Sequence, residues 1–371
     1  MRANPWIFNL PEYVPGKTIE EVKKKYNLKT VYKLASNENI WGPAPQVLKC
    51  IEKTVNEINY YPDSYCRDLK EKLSLKYNVS PDNIIVGNGT DEIIGFIADC
   101  FICIGQNAVV FDPTFSTYEK SVLKCGGKVI KVPLENLRQN VVSMVDAIDT
   151  KTKIIFLTNP HNPTGTNITE DEFKSLVKDV SGDILIVVDE AYYEYMPPED
   201  RVDTLNYVRK HDNLIILRTF SKIYGLAGLR IGYGISSSKV ISALNRVRLP
   251  FNVNSMAQKA ALVALENDSY VEEIRKKVIA EKEKFYKVLK NCGIEFIESY
   301  ANFVCIKVGD KTKKIVEELL KKGFIVRPGE NLGLPGYIRV TISLPEINDM
   351  FLEAFTRIYR NVVEHAYIKD V

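Results

Sequence analysis

The feature that most constrains this chain is a series of short, almost wholly apolar β-rich runs, each followed by a segment of helical periodicity. The runs cover residues 83–86, 108–111, 128–132, 153–157, 184–188, 214–217 and 230–234. A strand that is apolar at successive positions, not only alternate ones, needs cover on both faces, and a mainly parallel sheet between two helical layers gives that cover. The sequence therefore predicts an α/β fold whose large domain holds a mainly parallel seven-stranded sheet with helices on both faces.

After Pro250 the pattern changes to two long helices, 257–266 and 270–291. A smaller α/β unit follows, with strands expected at 303–308 and 337–342 and helices at 312–322 and 347–362. A charged, turn-rich stretch with a short helix from Ile19 to Tyr26 precedes the first strand. The expected organisation is an N-terminal arm over 1–40 packing with the small domain, a large domain over 41–265 and a small C-terminal domain over 266–371.

Composition narrows the partners. The 371 residues carry 50 Lys+Arg against 47 Asp+Glu, a net charge of +3, too balanced to attract nucleic acid or an anionic membrane surface. No apolar run approaches the roughly eighteen residues of a membrane span, and the first residues lack the apolar core of a signal peptide. A cytoplasmic location is expected, and the odd count of seven cysteines suits a reducing compartment. Cys100 and Cys103 form a CxxC spacing, read as two small apolar core residues on a helix; with three histidines and no second CxxC, no metal site is expected.

Several familiar signatures fail. The run from Gly87 to Glu92 lacks the third glycine of a dinucleotide fingerprint, Gly16-Lys17-Thr18 lacks the upstream glycine of a P-loop, and neither HExxH nor GxSxG occurs. Four polar clusters survive, each at the end of a predicted strand, where open parallel sheets bind ligands. They are Gly89-Thr90-Asp91, Asn162-Pro163-Thr164-Gly165, Asp189-Glu190-Ala191-Tyr192, and Thr219-Phe220-Ser221-Lys222 with Arg230 eight residues on.

Each cluster has its own chemistry. The first opens a helix expected over 92–103, whose free N–H groups suit a phosphate, though a polar N-cap alone would look the same. Thr219, Ser221 and Arg230 add a second anion-binding set, since a guanidinium pairs bidentately with phosphate. Asp189 ends the most apolar strand, where a carboxylate needs a cation, and a protonated pyridine nitrogen is one that also makes its ring an electron sink. An enclosed lysine beside a cation favours the neutral amine that condenses with an aldehyde, and Lys222 has that company.

In this order the clusters resemble the fold-type-I pyridoxal-phosphate aminotransferases over almost the whole chain. The histidinol-phosphate aminotransferase branch is resembled most through Tyr13-Val14-Pro15-Gly16-Lys17, Lys33-Leu34-Ala35-Ser36-Asn37-Glu38-Asn39, Tyr61-Pro62-Asp63 and Asn159-Pro160-His161-Asn162-Pro163-Thr164-Gly165. The segments Val188 to Tyr192, Thr219 to Arg230 and Arg248 to Val253 extend the match.

The resemblance implies pyridoxal 5'-phosphate as cofactor, with Lys222 condensing with its aldehyde and Asp189 facing its ring nitrogen. Asn162 and Tyr192 would bond the phenolic oxygen, Phe115 would stack on the ring, and Gly89, Thr90, Asp91, Thr219, Ser221 and Arg230 would hold the phosphate. Tyr61 would reach the phosphate from a neighbouring subunit, which implies a homodimer with shared sites. Arg327 and Arg339 would bind the substrate's anionic end beneath Tyr13, although without the resemblance both arginines read as surface residues. Ile40, Ser343 and Ile347 depart from the usual pattern of that family, and by the resemblance Ile40 would lie near the substrate entrance.

The expected reaction is transfer of an amino group from histidinol phosphate to 2-oxoglutarate, giving imidazole acetol phosphate and L-glutamate. Rival readings are an aromatic amino acid aminotransferase, a threonine-phosphate decarboxylase, and a cofactor-binding regulator without turnover; the arm is too short for the DNA-binding domain the last would carry.

Overall fold

The structure is a computed structural model that describes residues 4–10, 12 and 16–363. The first strand, β1 (Tyr32–Lys33), precedes the main sheet. The seven apolar runs then form β2 (Ile84–Gly87), β3 (Asn107–Asp112), β4 (Lys128–Pro133), β5 (Thr152–Thr158), β6 (Leu185–Asp189), β7 (Leu214–Thr219) and β8 (Gly232–Ser236). These pair in the order β2-β8-β7-β6-β5-β3-β4. All neighbours are parallel except at β8, which runs antiparallel to both β2 and β7.

Burial on both faces explains the apolar runs. Ile186 and Val188 of β6 join one core cluster, while Leu185 and Val187 join the other. The first cluster is covered by helices that include Arg67–Tyr77 and Glu170–Asp179, and the second by Thr90–Phe101, Thr117–Lys124 and Ser238–Val247. Each fully buried Val, Leu or Ile contributes about 1.5–3 kcal/mol, so the central strands hold the sheet that carries the polar loops.

Beyond this sheet, β9 (Phe296–Ile297), β10 (Phe303–Lys307), β11 (Phe324–Ile325), β12 (Arg327–Pro328) and β13 (Tyr337–Thr341) form the C-terminal strands. Four of them make an antiparallel sheet in the order β12-β13-β10-β9, and β11 pairs in parallel with β1. The short strands β1, β9, β11 and β12 escaped the sequence reading because two residues carry no periodicity.

Two expectations change here. The helix beginning at Thr90 ends at Phe101, and Ile102 is already extended, so Cys103 lies past the helix and is exposed while Cys100 is half-buried. The CxxC pair is not a buried helical pair. The N-terminal arm also divides: helix Ile19–Tyr26 contacts helix Thr312–Lys321, with Val22, Val31, Leu320 and Ile325 in one small core. Residues Pro5–Asn9 instead contact the helix Thr117–Lys124, where the Trp6 indole N–H donates to the Lys124 carbonyl at 3.1 Å.

Candidate active site

The parallel strands of the main sheet deliver their carboxyl ends to one edge, and Arg230, just before the antiparallel β8, reaches the same edge. A cavity of about 460 Å³ opens there. Its lining includes Thr90, Asp91, Phe115, Asn162, Asp189, Tyr192, Thr219, Ser221, Lys222, Arg230, Arg327 and Arg339, so most of the residues singled out in the sequence meet in one place.

Asp189 closes β6 and is 3% exposed. Its Oδ1 accepts from the Ala191 N–H at 3.0 Å and its Oδ2 from the Tyr118 hydroxyl at 2.7 Å. Burial pushes the carboxyl up to about 6, opposed by those two hydrogen bonds. Neither partner carries charge, so a cation arriving in the cavity would remove the cost of ionising this group.

Tyr118 is a site residue the sequence reading missed. It lies on the helix Thr117–Lys124, is fully buried, shares a 3.0 Å hydrogen bond with Thr158 and stacks on Phe156. The one signal for it was its place one helical turn after Phe115, whose ring lines the cavity and meets Tyr118 edge-on at 5.6 Å.

Lys222 is half-buried, with its Nζ donating to the Ser36 carbonyl at 3.3 Å and lying 5.7 Å from the Tyr192 ring centre. The Tyr192 hydroxyl accepts from the Asn37 amide at 2.8 Å. Asn162 accepts at Oδ1 from Arg339 Nη1 at 2.6 Å, which leaves its NH₂ as the donor for the cavity. The loop carrying Asn162 is pinned by His161, whose Nδ1 pairs with the Thr164 hydroxyl at 2.8 Å; burial pushes this imidazole down to about 3 and keeps it neutral.

The anion-binding groups form a cradle. Gly89, at φ +78°, precedes the helix Thr90–Phe101, whose first turn has no side-chain cap. A Cβ at Gly89 would stand 2.6 Å from Arg230 Nη2, so glycine is what lets the guanidinium approach the helix N-terminus. Arg230 also bonds the Ser221 hydroxyl at 3.4 Å and the Asp91 carboxylate at 3.1 Å, while the Thr219 hydroxyl accepts from the Ser221 N–H at 3.0 Å. The Asp91 side chain therefore orients the guanidinium, and the helix offers an anion its backbone N–H groups. Uncapped N–H groups, two hydroxyls and a guanidinium beside a lysine and a buried acid fit a phosphorylated, nitrogen-bearing aromatic aldehyde.

Arg339 corrects the surface reading. It is 6% exposed, donates to Asn162 and to the Ala35 carbonyl, and lies 5.0 Å from the Phe303 ring centre. Pairing of β12 with β13 sets Arg327 opposite Arg339, which brings both to the cavity. Tyr13 lies outside the described residues. Tyr61 is 83% exposed and stacks on Phe251 at 4.6 Å, away from this chain's own cavity.

The family "Aminotransferase class I and II" matches residues 29–355, which span every one of these cavity residues. The chain belongs to the class I and II aminotransferases. Among these aminotransferases it is 43% identical to histidinol-phosphate aminotransferase 2 of Carboxydothermus hydrogenoformans, over 93% of this chain and 95% of that one. It is 42% identical to the histidinol-phosphate aminotransferase of Moorella thermoacetica, over 95% and 92%. The histidinol-phosphate aminotransferase of Sinorhizobium meliloti, solved in complex with pyridoxal-5'-phosphate, superposes with a TM-score of 0.90 at 27% identity, covering 98% of both chains. The fold-type-I architecture is thus that of this aminotransferase family.

Proposed function

We propose that this aminotransferase uses pyridoxal 5'-phosphate to move an amino group from histidinol phosphate to 2-oxoglutarate. The observation that carries the reading is the meeting of Lys222, the buried Asp189 and the arginine pair in one cavity. The 43% identity to a histidinol-phosphate aminotransferase supports that substrate over an aromatic amino acid or a threonine phosphate.

Bound pyridoxal 5'-phosphate supplies an aldehyde that captures amines and a cationic ring that draws electrons from the substrate's α-carbon. Gly89, Thr90, Asp91, Thr219, Ser221 and Arg230 would hold its phosphate, Phe115 its ring face, Asn162 and Tyr192 its phenolic oxygen, and Asp189 its ring nitrogen. The Asp189 carboxylate, already bonded by Tyr118 and Ala191, would keep that nitrogen protonated. Lys222 would be both the anchor and the base. Its free Nζ would hold the proton lost from the substrate's α-carbon and release it toward the cofactor's aldehyde carbon, a transfer of the kind that contributes about 10²–10⁴-fold.

Arg327 and Arg339 would take the anionic end of either substrate, since a guanidinium fork pairs with phosphate and with carboxylate alike. Tyr61 would complete the phosphate site of a partner subunit. Its exposure supports this, together with the exposed Ile58, Tyr60, Leu249 and Phe251 around it. Residues 41–265 serve as the cofactor domain and 266–371, with most of 1–40, as the smaller domain over the substrate. Seven unpaired cysteines support a reducing, cytoplasmic setting.

The test has two stages. Protein loaded with cofactor and mixed with L-glutamate alone should convert the aldehyde form to the amine form, seen by absorbance; a decarboxylase would leave it unchanged. Then kcat/KM for histidinol phosphate should exceed that for phenylalanine by about 10²-fold or more, and the reverse order would assign the chain to aromatic substrates.

A further inference from the structure

Hydrogen-bond directions around Asn37 form a one-way relay. Asn37 is 1% exposed and sits at φ +56° between the cavity and β13. Its backbone N–H donates to Thr341 Oγ1 at 3.0 Å, so the Thr341 hydroxyl keeps its own hydrogen and donates it to Asn37 Oδ1 at 3.1 Å. That fixes the amide: its oxygen is occupied, and its nitrogen faces Tyr192, donating to the phenol oxygen at 2.8 Å. The Asn302 amide ties down the Asn37 carbonyl at 3.1 Å. A phenol whose oxygen accepts from an amide retains its hydrogen for another acceptor, and the Tyr192 side chain lines the cavity.

We propose that Asn37 is a positioning residue that holds the Tyr192 hydroxyl as a hydrogen-bond donor into the cavity, with Thr341 setting the direction of the relay. The proposal rests on the reading that Tyr192 serves the cofactor's phenolic oxygen. A donor to that oxygen stabilises its anionic form and lowers the affinity of the bound cofactor for a proton. Without Asn37, the Tyr192 hydroxyl rotates among acceptors and this effect weakens. The other titratable groups near Tyr192 are Lys222, whose Nζ faces its ring, Arg339, Tyr118 and Tyr195.

The experiment is a pH titration of the visible absorbance of bound cofactor in four proteins: parent, Tyr192→Phe, Asn37→Gly and the double variant. Glycine keeps the positive-φ backbone at position 37 and removes only the amide. Tyr192→Phe should raise the apparent pKa of the cofactor by roughly one unit, as expected for loss of one hydrogen bond to a charged group. Asn37→Gly should raise it by about half as much or more in the parent, and leave it unmoved in the Tyr192→Phe background. Equal shifts in both backgrounds, or no shift in either, would overturn the proposal. No response to Tyr192→Phe alone would instead sink the reading of Tyr192 on which it rests. Should Asn37→Gly lose its cofactor, Thr341→Val in the same two backgrounds decides the matter by the same comparison.

Discussion

Asp189 shows how a single residue links folding to chemistry. Its carboxyl rises from the ordinary 3.8 to about 6 through burial, so the folded chain binds this proton more tightly than the unfolded chain does. Its contribution to stability is therefore present below about pH 4 and is lost as pH rises through about 6. The gap of about two units corresponds to roughly 3 kcal/mol. In urea unfolding of cofactor-free protein between pH 4 and 7, Asp189→Asn should remove this downward slope and be the more stable protein at pH 7. With cofactor bound, the order should reverse, because the ring nitrogen then has no carboxylate to pair with. An identical slope in Asp189→Asn would show that another group causes it.

At the scale of elements, β6 and β7 are pinned by a buried ion pair directly beneath the site. Arg218 Nε donates to Glu190 Oε2 at 2.8 Å, and both side chains are almost wholly enclosed. The guanidinium also lies 3.8 Å from the Tyr193 ring centre and 5.1 Å from that of Tyr77. Removing one partner leaves an uncompensated buried charge, so Arg218→Met should destabilise the fold by about 3–5 kcal/mol in urea unfolding. Replacing Glu190 by Gln in that variant should recover part of the loss, and additive losses would argue against direct coupling.

Legibility at this scale follows periodicity. Six of the seven sheet strands are readable because burial on both faces keeps their centres apolar, while the edge strand β4 carries an exposed Lys131 and is readable from Val129, Ile130 and Val132 alone; Asp189 is readable because it breaks such a run at its end. Tyr118 is not, since its bond to Asp189 depends on how the helix Thr117–Lys124 lies against β5 and β6. Arg339 reads as a surface residue because its partners, Asn162 and Ala35, lie 177 and 304 positions away. Cys103 was misplaced by a helix that ended two residues early.

For the molecule as a whole, the exposed apolar group around Tyr61 and Phe251 calls for cover. The segments carrying them are held together by Arg248, which donates to the Ser64 carbonyl at 2.6 Å, and by the Phe251 N–H to the Ser64 hydroxyl. Covered by a second copy, they would bring Tyr61 to the partner's phosphate cradle. Sedimentation should then give twice the chain mass of 42.2 kDa. Mixing Lys222→Ala with Tyr61→Ala protein should restore activity neither has alone, because some mixed dimers carry one intact site. Absence of restoration in confirmed mixed dimers would place Tyr61 outside the shared site.

The chemistry turns on one amine, and turnover of histidinol phosphate with 2-oxoglutarate by Lys222→Ala protein that still holds its cofactor probes it. The expected loss is about 10²–10⁴-fold or more, the contribution of a positioned proton carrier. Turnover within a few-fold of the parent enzyme would contradict it.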